Sequence, residues 1–216
     1  MIRLILLSAF FPLFVSCKDV PLDKHPDKEP LVSKDSTVII APLIDPRKLD
    51  TLAGKRAANR RLRLICYHLE TARLAGDDPA ALISLAQSRL GVGTTARAKE
   101  VKASLLRSLD ILSKLGCLNE AGIDKLKTGN APTITKGPYS GDIASVDHII
   151  PRSVCEELDE KLYNLEFMPS KLNSSKGSKI GPRQIALAKK WHGLGLLSEK
   201  GIREVQGKSA LKNNEN

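Results

Sequence analysis

Apolar residues recur at helical spacing from Leu49 to Leu126, and this periodicity constrains the fold more strongly than any other feature of the chain. A helix that buries one face carries apolar residues at positions i, i+3, i+4 and i+7. One such set comprises Leu62, Ile65, Cys66 and Leu69. We therefore predict that this part of the chain is helical.

Capping residues divide the helical region into separate elements. Asp78 followed by Pro79 predicts a helix with an N-cap and a proline at its first position, ending near residue 90. Thr94 or Thr95 can cap the next helix, and Gly116 suits its C-terminal end. The apolar stripe of this second helix comprises Val101, Leu105, Leu109 and Leu112.

The first 16 residues have the character of a signal peptide. A basic Arg3 precedes an apolar run that is too short to span a bilayer. The run ends in Phe14-Val15-Ser16-Cys17, which resembles the lipobox of bacterial lipoproteins. We therefore expect an exported cell-envelope lipoprotein, periplasmic or at the cell surface, lipidated at Cys17. The alternatives are an ordinary signal peptide or a cytoplasmic protein that buries this segment.

Residues 17–47 combine five prolines with Lys and Asp residues and contain few apolar positions. Such a composition cannot bury much surface, so we predict a lipid-anchor cysteine followed by a disordered tether. The segment 38–41 is the exception, because its apolar residues could form one short strand or dock on the folded body.

The chain carries a formal net charge of +10, from 34 Lys and Arg residues against 24 Asp and Glu residues. This balance favours a polyanionic partner, either nucleic acid or an anionic membrane surface. Only five aromatic residues lie beyond the apolar N-terminus, which argues against a surface that stacks nucleic acid bases. We expect no organic cofactor. If Cys17 is lipidated, at most one disulfide can form, and small buried hydrophobic side chains are the simpler expectation for Cys66, Cys117 and Cys155.

The stretch from Ser145 to Lys179 changes character and predicts a strand, a loop, a second strand and a helix. Val146–Pro151 is apolar and β-branched around an Asp-His pair, which favours a strand. Tyr163–Met168 favours the second strand, and a helix then begins at residue 169 or 170 and runs to about Lys176.

This stretch resembles the HNH endonuclease family, whose core is the ββα-metal fold. The residues that carry the resemblance are Asp147-His148-Ile149-Ile150-Pro151-Arg152-Ser153, Asn164-Leu165, Leu172-Asn173 and Lys176. The resemblance implies that His148 is the general base, that Asp147 and Asn173 hold a metal ion, and that Asn164 pins the loop between the strands. Together with the helical periodicity of residues 48–130, the resemblance predicts a fold of class α+β that is mostly α, with a helical region at 48–130 and a nuclease domain at 131–216 that ends in basic helices.

The residue types suit phosphodiester hydrolysis. A neutral imidazole can accept a proton from water near pH 7, and carboxylate and amide oxygens are hard ligands. One divalent metal ion is expected, with Mg²⁺ favoured and Mn²⁺ or Zn²⁺ as alternatives. Adjacent strand residues point to opposite faces, so Asp147 and His148 can serve one site only if the backbone bends or bulges there.

The C-terminal segment supports a polyanionic partner, since residues 168–216 contain ten basic and three acidic residues. Contacts to phosphates are independent of sequence, so we expect low sequence specificity on DNA, with RNA as the alternative substrate. The candidate phosphate-binding residues are Arg152, Lys176, Lys179, Lys189 and Lys190. The competing hypothesis is a non-catalytic, nucleic-acid-binding envelope lipoprotein with a degenerate HNH fold. The oligomeric state does not follow from the sequence.

Overall fold

The structure is a computed structural model that describes residues 34–49 and 57–213. Within these ranges the chain forms nine α-helices and a two-stranded antiparallel sheet, which is the mostly helical α+β architecture predicted from the sequence. In chain order the elements are α1 (Lys34–Ile44), α2 (Pro46–Leu49), α3 (Ala57–Leu74), α4 (Pro79–Arg89), α5 (Ala96–Lys114), α6 (Glu120–Lys127), β1 (Ala144–His148), β2 (Leu165–Pro169), α7 (Ser170–Lys176), α8 (Pro182–Gly193) and α9 (Glu199–Asn213).

The helix limits predicted from capping residues are confirmed. Asp78 accepts hydrogen bonds from two backbone N–H groups at the start of α4, and Thr95 accepts one from the backbone N–H of Ala98 at the start of α5. Gly116, with φ of +68°, follows the end of α5, where a residue without Cβ adopts the left-handed conformation at least cost. The predicted apolar faces of α3 and α5 are buried.

The predicted disordered tether is wrong for residues 34–47. This part of the chain forms α1 and the first half of α2, and α1 packs against α3 and α4. Ile40 and Ile44, one helical turn apart on α1, are buried in the core. The composition was misleading because Pro42 stands near the C-terminal end of α1, where the missing N–H interrupts only the last turn. The docking alternative for residues 38–41 is confirmed, in helical form. Residues 1–33, with Cys17, lie outside the described part of the chain.

The two strands are adjacent in the only sheet of the described residues, and their register determines which side chains share a face of that sheet. Ala144 lies opposite Pro169, Asp147 opposite Glu166, and His148 opposite Leu165. No residue is inserted between these pairs. Both strands begin about two residues away from the predicted limits, and β1 ends at His148 rather than at Pro151.

The end of β1 at His148 has a physical cause in the hydrogen bonds of the residues that follow it. The backbone N–H of Ile149 donates to the carbonyl oxygen of Asn164 at 2.7 Å, and that of Ile150 donates to the Asn164 side chain at 2.8 Å. Asn164 belongs to a short 3₁₀ turn, Leu162–Asn164, that immediately precedes β2. A side-chain acceptor therefore replaces the ladder partner that a longer strand would need.

One continuous core joins the predicted helical region to the predicted nuclease domain. Helix α5 packs against β2 and against the turn at 162–164. The hydroxyl of Ser104 in α5 lies 3.0 Å from the carbonyl oxygen of Leu162 and 3.1 Å from that of Leu165. The boundary predicted near residue 130 is therefore not a boundary in packing.

The three cysteines of the folded body are free and buried, as predicted. Burial raises the pKa of each thiol, to about 11 for Cys117 and for Cys155. Of the helices in the described ranges, none is both long enough and apolar enough to cross a membrane.

Candidate active site

Helix α7 is held against the start of β1 by backbone hydrogen bonds. The backbone N–H of Ser170 donates to the carbonyl oxygen of Ile143, and that of Lys171 donates to the Asp142 carboxylate, each at 2.9 Å. The Lys171 bond holds the pKa of Asp142 below its ordinary value, since it favours the charged carboxylate. A charged Asp142 therefore satisfies the N-terminal turn of α7, whose N-cap residue Pro169 makes no side-chain capping bond.

Two side chains of α7 reach two side chains on one face of β1. Asn173 donates through Nδ2 to the hydroxyl of Ser145 at 3.2 Å, and the Lys176 ammonium contacts the Asp147 carboxylate. Ser145 and Asp147 share a face because side chains alternate along a strand. Asn173 and Lys176 share a face because they lie three residues apart on a helix. The structure thus brings Asp147 and Asn173 to the same side of the sheet.

The Lys176 ammonium has a second oxygen partner, the backbone carbonyl of His148. The side chains of Lys176 and Asp147 are each only 14% exposed, so the pair is largely shielded from water. The Asp147 carboxylate and the His148 peptide carbonyl are hard oxygen donors with a positive charge already between them, and the Asn173 side chain lies on the same side of β1. This donor chemistry fits a divalent cation such as Mg²⁺, which takes few protein ligands and keeps several waters.

His148 points to the other side of β1, as the alternation of a regular strand requires. The register pairs through Asp147 and His148 contain no bulge, so the bend or bulge that a site shared by both side chains would need is absent from β1. The His148 Nε2 atom lies 2.8 Å from the carbonyl oxygen of Asp159 and 2.9 Å from its carboxylate Oδ1. Both partners are acceptors, so Nε2 carries the proton and Nδ1 keeps the lone pair of a base in the neutral ring.

Asn164 is fully buried and makes the backbone hydrogen bonds predicted for it. Its Oδ1 accepts from the N–H of Ile150, while its Nδ2 donates to the carbonyl oxygens of Ile150 at 2.9 Å and Leu158 at 3.1 Å. These bonds fix the loop that carries Asp159. Asn164 is therefore a positioning residue, because its side chain has no surface to offer a substrate.

The candidate phosphate-binding residues fall into two groups. Lys176 and Lys190 are already paired, Lys190 with Glu100 of α5 at 2.6 Å. Lys179 and Lys189 are exposed, and neither has an ion pair within residues 34–49 and 57–213. Arg152 is intermediate: its side chain is 56% exposed, and its Nη1 lies 3.6 Å from the Asp159 carboxylate.

Sequence reasoning missed two acidic residues beside the site. Asp159 stands in a run of acids between the strands, and no fixed spacing marks it as the partner of His148. Glu166 lies opposite Asp147 in the register and is buried. Its carboxylate receives both terminal nitrogens of Arg183 from α8, at 2.7 and 2.5 Å, and Arg107 of α5 lies 3.9 Å away. Alternation with its apolar neighbours in β2 would place Glu166 on the solvent face, so no sequence signal marked this acid as buried.

A scan against protein-family models and searches of curated proteins and of solved structures find no match to this chain. In the described part of the chain, no group of three or more His, Cys, Asp or Glu side chains is arranged to hold a metal ion.

Proposed function

We propose that this protein is a metal-dependent endonuclease of the HNH type that hydrolyses DNA phosphodiester bonds with low sequence specificity. The observation that carries the proposal is the arrangement at the end of β1. Asp147 and Asn173 lie on one side of β1, and His148, the last residue of the strand, lies on the other side and is held by Asp159 in the tautomer of a base. Because β1 is regular at this point, one shared site requires the backbone to bend at His148 when metal and DNA bind. β1 supplies Asp147 and His148, the loop before β2 supplies Asp159, and α7 supplies Asn173, so the strand, strand and helix follow the order of the resembled motif.

The residues of the chain would divide the chemistry as follows. Asp147 and Asn173 would hold one divalent ion, which when bound supplies Lewis-acid stabilisation of the phosphoryl charge and of the leaving oxygen. His148 takes a proton from the attacking water through Nδ1. Asp159 fixes the imidazole through Nε2–H and stabilises the imidazolium that forms. Asn164 keeps the loop with Asp159 in register with β1.

The DNA path of this proposal follows the exposed cations after α7. Lys179 and Lys189 are the free positive charges that support it, and Arg152 adds a charge on the loop beside Asp159. Contacts of this kind go to phosphates and read no bases. We further propose action in the cell envelope through a lipid at Cys17, a proposal that rests on the N-terminal sequence.

A plasmid-nicking assay tests the activity. The purified protein is expected to relax supercoiled plasmid with Mg²⁺ and to lose this activity with EDTA. The variant His148→Ala should lose at least a hundredfold in rate, since a general base contributes about 10² to 10⁴ in rate. Its affinity for DNA should stay near that of the wild type, because the imidazole acts on water. Cleavage by His148→Ala at the wild-type rate would exclude this mechanism.

One observation favours the competing non-catalytic function. The Asp147 carboxylate is engaged by Lys176, as in a site that has lost its metal. DNA binding without any metal-dependent nicking in the same assay would support that alternative.

A further inference from the structure

The Lys176 ammonium occupies a position that a metal ion would need. It contacts the Asp147 carboxylate and the carbonyl oxygen of His148, and both are oxygen donors to a cation. The next polar side chain on this face is Asn173, which lies three residues before Lys176 on α7 and reaches Ser145. An ammonium and a divalent ion on one carboxylate repel each other strongly in a site this shielded from water, so each weakens the binding of the other.

We propose that Lys176 is a built-in competitor for the divalent metal, so that the metal binds only as the ammonium leaves Asp147. This inference rests on the proposed nuclease function, because it concerns the same metal site. In this arrangement the ion pair satisfies Asp147 before the metal arrives, and each metal-binding event must break it. The intrinsic affinity of the oxygen donors is therefore reduced by the population of the paired state.

Once displaced from Asp147, the Lys176 ammonium has no unpaired acid among the described residues to move to on this face of the sheet. Glu166, which lies opposite Asp147, is buried and already receives both terminal nitrogens of Arg183. The long, flexible Lys176 side chain instead remains one helical turn from Asn173, where an incoming phosphate can take it up. Metal and DNA should then assist each other, since the phosphate holds the ammonium away from Asp147. Such a coupling is reciprocal by linkage.

Direct measurement of metal binding tests the competition without relying on cleavage. The experiment is calorimetric titration of MnCl₂ into the purified protein without DNA, for the wild type and three variants. We expect Lys176→Met to bind Mn²⁺ at least tenfold more tightly than the wild type. Lys171→Met is the matched control, because it removes the same charge from an exposed side chain of the same helix five residues earlier, and its affinity should equal that of the wild type. Asp147→Asn should abolish binding.

The outcomes separate this inference from the proposed function. If Lys176→Met binds Mn²⁺ no more tightly than the wild type, and Asp147→Asn still abolishes binding, the competition is wrong while the metal site stands. If Asp147→Asn leaves binding unchanged, or no protein binds Mn²⁺, the metal site itself is wrong and both proposals fail.

A second titration tests the coupling to DNA. With a short duplex containing hydrolysis-resistant phosphorothioate linkages, the Mn²⁺ affinity of the wild type should rise, and that of Lys176→Met should rise much less. Equal increases in the two proteins would overturn the coupling.

Discussion

Two asparagines of the candidate site differ sharply in environment. Asn164 is fully buried and makes three hydrogen bonds to the backbone, whereas Asn173 is half-buried and makes one, to the hydroxyl of Ser145. Removing a buried amide leaves its backbone partners unsatisfied, at a cost of about 1 to 3 kcal/mol for each group. Removing a partly exposed amide exposes its partner to water, which compensates most of the loss.

Asn164→Ala should therefore lower the free energy of unfolding by about 3 kcal/mol or more, because Ile150 and Leu158 lose their partners. Asn173→Ala is the matched control and should change the free energy of unfolding by less than about 1 kcal/mol. Urea denaturation of both variants measures the difference. If both variants lose the same free energy of unfolding, the structural role of Asn164 is wrong. On the proposed function, Asn173→Ala should instead weaken Mn²⁺ binding.

At this scale the sequence predicts residue types better than contacts. The role of Asn164 is confirmed because only a buried side-chain amide can satisfy N–H and carbonyl groups at the same place. The pairing of His148 with Asp159 was not predictable, since it depends on how the loop between the strands folds back. The pairing of Asp147 with Lys176 was not predicted either, because the orientation of α7 against β1 is a tertiary property.

Among the elements, those with strong local signals were predictable and those defined by packing were not. The limits of α4 agree with the prediction, since Asp78 caps the helix and Pro79 occupies its first position. Helix α1 was missed because its buried residues, Ile40 and Ile44, lie among prolines and charges that normally mark a linker. Its stability comes from the groove between α3 and α4, which a local pattern cannot reveal.

The basic charges of α8 also depend on packing. Arg183 is paired with Glu166 of β2, and Lys190 with Glu100 of α5, which also accepts a hydrogen bond from the indole N–H of Trp191 at 3.1 Å. Counting the charges of residues 168–216 overstates the positive surface, because Glu100 and Glu166, which pair with two of these cations, lie outside that range. Both lysines of the adjacent pair are exposed, and Lys189 is the one without an ion pair among the described residues.

Lys189→Ala should flatten the dependence of DNA affinity on salt while leaving the melting temperature unchanged. Loss of one phosphate contact reduces the slope of log K against log salt by about 0.9 on duplex DNA. Lys190→Ala should lower the melting temperature, since it removes the partner of a mostly buried Glu100. Binding titrations at several salt concentrations and thermal melts measure the two effects. A wild-type slope in Lys189→Ala would show that DNA does not pass along α8.

Over the whole molecule, the described residues form one packed body, from α1 to α9. The proposed anchor lies upstream of α1, at Cys17, outside the described part of the chain. Since α1 packs on the folded body, the chain available for a tether is shorter than residues 17–47 suggest. An active site held by such a chain would act close to the membrane surface.

Cys17→Ser should release the protein from the membrane fraction or leave an uncleaved precursor. A lipid on this cysteine would supply membrane affinity that the polar folded body lacks. Fractionation of cells, with mass spectrometry of the N-terminus, measures both possibilities. The same distribution and the same N-terminus for variant and wild type would refute lipidation at this position.

The hydrogen bond between Ser104 and the turn at 162–164 ties the helical region to residues 131–216, so the two parts of the chain are expected to be inherited together. The hydroxyl lies on α5, yet its acceptors, the carbonyl oxygens of Leu162 and Leu165, flank Asn164. A gene fusion that transplanted only residues 131–216 would remove the Ser104 donor from these carbonyls and leave the face of β2 that packs on α5 without its cover. We therefore expect residues 131–216 to fold in a chimaera only together with α5, and substitutions at Ser104 and around Asn164 to be selected together.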